Sequence, residues 1–385
     1  MQEIALRDGP VELVGALEIV ESESGISARR LPGWTRPQIP DLFMDAVVGM
    51  PSGVRARFRT DATTIGLDVM ITHLRILPEP LMPSAFDLVV DGELGGQVFS
   101  TDGTVLTIDM ADRDAVSLDH GEPTTIQFSE LAPGDKTIEI WLPQRSSVEL
   151  RGLRVNAGAS VQHAPPPTRR RWVHHGSSIS HCIEAASPTT TWPAVAARLG
   201  GVELTSLGFG GQCMLDAFVA RTIRDLEADV ISLKVGINVV NGDTLRERTF
   251  GPAVHGFLDT VREGHPLTPI LVVSPIYCPS AEAHPGPTVM NEHGKFVTIA
   301  GMDEMRATCL TLVKVRRMLA EIVDRRRGIG DANLHYLDGL ELFGAGDADD
   351  LPDDLHPNAA GYVRMGERFA ELAFSPGRPL APAAG

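Results

Sequence analysis

Cysteine is scarce in this 385-residue chain, and the four present stand far apart, at positions 182, 213, 278 and 309. They show no paired metal-ligand spacing, so a zinc site is not expected; reduced, mostly buried thiols are. Positive charge is also short. Lys and Arg number 34 against 50 Asp and Glu, a net charge of −16. Nucleic acid and anionic membrane both reward basic patches, so neither is expected as a partner. No apolar run approaches the length of a membrane span. The opening MQEIALRDGPVELVG has no basic stretch leading into an apolar one, so no secretory signal is read and a cytoplasmic protein is expected. No GxGxxG or Walker-type loop occurs, which leaves no cofactor to expect.

What is present is enough to fold. Apolar residues make up 43% and charged residues 22%, which supplies a sizeable core and argues against disorder. The length suits two domains, and the periodicity changes midway. Up to about residue 156 it is strand-like: VRARFRTDATTIGLDVMITHL, FDLVVDGELGGQVFS, TVLTIDM, TTIQFSEL, KTIEIWLP and SSVELRGLRV, parted by Gly, Pro and Asp turn signals. Short strands at near-regular spacing predict an all-β sandwich or jelly roll over residues 1–158. The Pro-rich, then basic, stretch 159–171 reads as a linker. From 172 to 385 the pattern alternates. Strands are expected at 172–174, 202–207, 229–235, 269–276 and 334–338, with helices at TWPAVAARL, DAFVARTIRDLEA, TFGPAVHGFLDTVRE, MDEMRATCLTLVKVRRMLAEIVDRRR and PNAAGYVRMGERFAELAF. That alternation predicts a parallel sheet covered on both faces, with its active site beyond the C-terminal strand ends.

Four polar segments fall at such ends. GSSIS follows the first strand. Its Gly176 permits a sharp turn, and Ser178 would need a base to act as a nucleophile and donors for the resulting oxyanion. A Ser-rich turn is the commoner use of such residues. SLGFGGQ (206–212) brings backbone N–H groups of a Gly-rich turn to the second strand's end. KVGINVVNG (234–242) offers the Asn238 amide, which serves equally for an Asx turn. LPDDLHPNAAGY (351–362) sets Asp353 three residues before His356. A short turn can bring that carboxylate to one imidazole nitrogen, leaving the other free as a base. Pro357 is expected at the first position of the closing helix, with His356 at its cap. Asp354 is a rival at the wrong offset. The acidic run GDADDLPDD reads as a solvated loop carrying the triad acid rather than a cation site. His174 and His175 read as packed or pocket-lining, and His181 and Cys182 as structural.

In this order the four segments resemble the SGNH hydrolases, also called the GDSL family. The matching residues are Ser178 (GSSIS), Gly211 (LGFGGQ), Asn238 (GIN), and Asp353 with His356 (DDLH). The resemblance spans residues 170 to 375. It implies a flavodoxin-like three-layer α/β/α domain with five parallel strands, here preceded by the β-sandwich. It also implies Ser178 as nucleophile, His356 as base and Asp353 as its orienter. The Ser178 and Gly211 backbones and the Asn238 side chain would be the oxyanion donors. Two positions depart from the family: Ser177 stands where an Asp precedes the nucleophile, and Val239 where an Asp follows the Asn.

An acyl-serine route does not choose its acceptor, because that depends on water exclusion and alcohol placement. The two-part layout is similar to that of a GDSL acyltransferase of tetracycline tailoring, which moves a salicylyl group from its CoA thioester to a polyketide hydroxyl. That similarity implies a small-molecule acyl donor, such as acyl-CoA, and a hydroxyl acceptor on a natural product. SGNH carbohydrate esterases with an N-terminal jelly roll give the alternative, deacetylation with water. A glycan-binding protein built on the β-sandwich is a third reading. Phe209, Met214, Ile237, Val239 and Val240 are candidates to line an aromatic pocket, although core packing is their commoner use.

Overall fold

The computed structural model describes residues 1–109, 116–299 and 307–382, which divide into two compact units. The first comprises Met1–Thr168 with Ala186–Thr189, and the second Arg169–Ala185 with Thr190–Gly385.

The first unit is a sandwich of two sheets. One contains the strands 116–119, 104–109, 65–77, 146–155, 26–29 and 18–21 in that order, with 2–4 and 124–128 paired alongside. The other runs 161–162, 55–60, 136–141, 84–90 and 93–100, with 12–14 beside 55–60. Alternation drives the burial. Ile65, Leu67, Val69 and Ile71 all point into a shared core with Phe58, Phe86, Leu88, Ile138 and Ile140. In the strand Ser146–Val155, Val148 and Leu150 point inward, yet so do Leu153 and Val155. A register shift between Leu150 and Gly152 absorbs the change of parity, as a bulge does. The hairpin 84–100 turns at Asp91–Gly92, both with positive φ, the conformation that matches strand twist.

Two features of this unit differ from the sequence reading. A helix, Leu42–Gly49, interrupts the strands; its N-cap Asp41 accepts from the Met44 N–H at 2.7 Å. The buried Arg30 guanidinium donates to the Val47 and Met50 carbonyls at the helix's other end, which also accept from the Met50 and Ser52 N–H groups. Residues 159–168, expected as a connector, belong to this unit. Val161–Gln162 pair with Arg59–Thr60, and Ala159 packs into the core, so apolar residues outweigh the linker composition here.

The second unit is built on five parallel strands, Arg170–Gly176, Val202–Gly208, Val230–Lys234, Ile270–Val273 and Leu334–Leu337. In space the 202–208 strand comes first, then 170–176, 230–234, 270–273 and 334–337. The chain therefore moves outward from the first strand and then returns across it. The two sides of that strand are where loops diverge and a cleft opens. Helix 192–200 packs with helix 359–369, while 217–225 packs with 247–264, which also meets 312–328. Trp172, Val173, His174 and His175 are all buried, as expected of a central parallel strand covered on both faces.

Several bounds moved. The helix expected from 302 is Leu312–Gly328, capped by the Thr311 hydroxyl; residues 302–306 lie outside the described residues, as does Met110 of the TVLTIDM strand. The closing helix starts at Ala359, not at Pro357, because Asn358 is the N-cap and its side chain accepts from the Gly361 N–H at 2.9 Å. An Asn side chain satisfies an orphan donor, which Pro at the first position does not. A two-stranded hairpin, Thr288–Met290 with Phe296–Thr298, was not expected. No helix among the described residues is long and apolar enough to cross a membrane.

Candidate active site

Strand 170–176 ends in Gly176, and Ser177 caps a one-turn helix, Ser178–His181. The Ser177 hydroxyl accepts from the Ile179 N–H at 3.3 Å, so the serine does the capping that an Asp would do there. The helix sits tightly on the strand ends. A Cβ on Gly176 would lie 2.2 Å from Ser180 Oγ, and one on Gly208 would lie 2.5 Å from the Ser180 carbonyl carbon. Glycine at both positions lets Ser178 reach the end of the sheet. In the first turn of this helix the Ser178 N–H has no intrahelical acceptor.

The last strand leads through residues 338–350 into LPDDLH. Asp353 Oδ1 accepts from the backbone N–H groups of Leu355 (3.0 Å) and His356 (2.7 Å). That local turn aims the other carboxylate oxygen at the ring. Asp353 Oδ2 accepts from His356 Nδ1–H at 2.7 Å, and His356 Nε2 lies 2.9 Å from the Ser178 hydroxyl, which donates to it when the ring is neutral. Hydroxyl, imidazole and carboxylate thus stand in series, although 178 positions separate the serine from the histidine. Asp354 is turned away: its φ is +65°, and its carboxylate meets Lys295 Nζ at 3.2 Å. The acidic run before it is tied to the closing helix. Asp347 pairs with Arg368 at 2.7 Å, and Asp350 pairs with Arg364, so the run anchors the loop rather than standing free in solvent.

The glycine-rich turn closes through the Gln212 N–H to the Phe209 carbonyl at 3.1 Å. Gly211 adopts φ +70°, which favours glycine. A Cβ on the neighbouring Gly210 would sit 4.0 Å from Ser178 Cβ, so this turn borders the serine. Asn238 lies in a short helix, Ile237–Asn241, entered through Gly236 at φ +117°. Its Oδ1 accepts from the Cys213 N–H at 3.0 Å, which leaves its NH₂ as the free end of the amide. Of the candidate pocket residues, Phe209, Ile237, Val239 and Val240 are buried in the core, and only Met214 keeps partial exposure.

Electrostatics divide the histidines. Burial pushes His174 well below its ordinary value and His175 down to about 4. His174 sits between the Ser232 and Ser180 hydroxyls at 2.7 and 2.8 Å. His175 donates from Nδ1 to the Leu207 carbonyl at 2.8 Å and faces the Cys213 thiol. The thiol is itself raised to about 12 by burial. Burial acts on His356 in the same sense, but Glu184 and Asp353 outweigh it and hold the ring up at about 9. Asp353 is raised by its own burial, yet its bonds to His356 and to the backbone prevail and lower it.

Three residues near this series were not foreseen. Glu184 Oε1 lies 3.7 Å from His356 Nδ1, and its other oxygen accepts from the Tyr362 hydroxyl at 2.8 Å. Phe296, on the hairpin, meets the His356 ring edge-on with centroids 5.7 Å apart, and its N–H donates to the Asp353 carbonyl at 3.0 Å. Glu184 did leave one signal: it is the sole acidic residue between Ser178 and Val202. The series can pass the serine proton to His356 while Asp353 holds the ring's tautomer, the requirement for a serine nucleophile.

Comparison with known proteins bears on the family and the fold. The model of the GDSL-like lipase/acylhydrolase family matches residues 175–364, and that of the SsfX3 N-terminal domain matches 11–151. Among solved structures, the salicylyl-acyltransferase SsfX3 from a tetracycline biosynthetic pathway is 29% identical, with a TM-score of 0.80 and 95% of each chain covered. A GDSL-like lipase from Bacteroides ovatus is 20% identical, with a TM-score of 0.65 over 94% of each chain. A family two carbohydrate esterase from Clostridium thermocellum is 14% identical, with a TM-score of 0.61 over 94% of this chain and 96% of its own. The last two share the fold. Among curated proteins no match is found.

Proposed function

We propose, from the match of residues 175–364 to the GDSL-like lipase/acylhydrolase family, a serine-dependent acyltransferase that works through an acyl-Ser178 intermediate. The observation that carries this reading is the continuous series from Ser178 Oγ through His356 to Asp353, at 2.9 and 2.7 Å. In the first step Ser178 Oγ bonds to the acyl carbon as its proton passes to His356 Nε2. The donor's leaving group departs, taking that proton. In the second step a hydroxyl gives its proton to His356 and attacks the acyl carbon, and the acyl–Oγ bond breaks as Ser178 Oγ takes that proton back from His356 Nε2. The developing oxyanion is assigned to the Ser178 and Gly211 N–H groups and the Asn238 NH₂. Asp353 stabilises the imidazolium without taking its proton.

The choice of an alcohol as acceptor is supported by the likeness to SsfX3, which extends over both units. On that basis the donor is an activated aryl acyl group such as a salicylyl thioester of CoA. The acceptor is a hydroxyl of a natural product such as a tetracycline-type polyketide. Hydrolysis is the second reading, favoured by the acylhydrolase name of the matching family; it uses the same first step, with water in the second.

Incubation with aryl and short-chain acyl-CoA and with simple esters, with and without candidate alcohols, tests both. Transfer predicts ester product that grows at the expense of free acid as alcohol is added. Free acid that is unaffected by any alcohol would favour hydrolysis. Glycan binding that survives Ser178→Ala, with no acyl chemistry in the wild type, would replace both readings.

A further inference from the structure

The second carboxylate at His356 is not a loose surface group. Glu184 is held by the fully buried Tyr362, whose hydroxyl occupies one of its oxygens at 2.8 Å. The other oxygen faces His356 Nδ1 at 3.7 Å, too long for a hydrogen bond and short enough for a strong field. Asp353 already accepts the Nδ1 proton at 2.7 Å. One imidazole N–H therefore faces two carboxylates from two separate parts of the chain. We infer that Glu184 is a positioning residue that acts through His356, holding the imidazolium and so setting the pH range in which the enzyme takes the Ser178 proton. This inference rests on the acyl-serine reading above.

The charges around the ring are few. From its own loop come Asp353 and, turned away, the Asp354–Lys295 pair. From the segment after the 178–181 helix come Glu184 and the buried thiol Cys182, and from the closing helix comes Tyr362. Burial and the neighbouring Glu184 push Tyr362 well above its ordinary value, so it stays a neutral donor. Burial likewise raises Cys182. The hairpin presents the Phe296 ring and, from its turn, the Lys295 already paired with Asp354. Among these described groups the one cation, Lys295, is paired with Asp354, so Glu184 and Asp353 prevail over burial and hold the ring up at about 9. The consequence is a trade. Holding the proton favours the imidazolium of the tetrahedral intermediate, but it leaves little neutral base at pH 7. The wild type should gain activity steadily as pH rises toward 9.

Glu184→Gln keeps the shape and the Tyr362 contact but removes the charge. The acid limb of kcat/KM should move down by about one pH unit or more, the scale expected for a charge this close. Below the wild-type limb the variant should then equal or exceed the wild type, and at the alkaline plateau it should fall below it. Glu184→Asp should bring the limb back toward that of the wild type. The His356 ring titration followed by NMR in the resting proteins should move in parallel, and it needs no substrate. A superimposable limb and ring titration in wild type and Glu184→Gln would overturn the inference. Should Glu184→Gln not fold, Glu184→Asp carries the test, with a smaller downward shift expected and no shift contradicting it. Failure to find any acyl-Ser178 species would instead overturn the underlying reading, leaving the NMR result to stand or fall by itself.

Discussion

His174 and His175 lie four and three residues before Ser178 and His356 lies 178 residues after it, yet of the three only the distant one meets Ser178. All three are withdrawn from solvent. At the strand end the neighbours are hydroxyls, a carbonyl and a thiol, none of them anionic, so burial prevails and the rings are neutral. At the loop 351–358 two carboxylates reverse the sign. Nearness along the chain does not make a histidine a base; a free nitrogen beside the nucleophile and an acid behind the ring do.

The largest expected effect comes from removing the group that His356 serves. Ser178→Ala should lower turnover on the order of 10⁴-fold or more while the thermal midpoint stays close to that of the wild type. Turnover at the wild-type rate would dissolve the distinction between the two histidine sites. Asp353→Asn should cost about 10³-fold in kcat. That is less than a triad loses when its only carboxylate is neutralised, because Glu184 still faces Nδ1. Asp354→Asn should leave kcat near wild type; a loss there as large as for Asp353→Asn would misplace the acid. Asn238→Ala should lower kcat by about 10²-fold, as when one oxyanion donor is lost, with KM little changed.

The smallest effect is on stability, and it separates the two histidine sites by direction. His356 is raised from 6.5 to about 9, so its contribution is complete below pH 6.5 and is lost as pH climbs through 9. His175 is depressed from 6.5 to about 4, so the unfolded chain binds its proton first and stability falls as pH drops from 6.5 through 4. Urea unfolding across pH should show both slopes, and His356→Gln should flatten only the alkaline one. An unchanged alkaline slope would detach the raised ring from the fold.

How much of this was legible follows from how local each feature is. Asp353 and His356 could be paired from sequence because a single turn joins them, and the structure shows that turn in the Asp353 Oδ1 bonds. The parallel sheet was legible in its β-branched runs, and the sandwich in its alternation. Glu184 was not legible as a partner of His356, since only the fold brings the end of one short helix to a loop 170 residues later. The hairpin was hidden because its strands are three residues each, too short to show a period. Residues 159–168 misled in the other direction, their prolines outweighing the Ala159 and Val161 that hold them to the sheet.

The account depends on Ser178 Oγ becoming bonded to the acyl group, and intact-protein mass spectrometry after rapid quenching reads this directly. With an aryl acyl thioester, the protein should gain the mass of one acyl group. Peptide mapping should place it on Ser178, and it should be absent from Ser178→Ala and discharged by an added alcohol. Sustained turnover with no adduct at any time, or an adduct that persists in Ser178→Ala, would contradict it.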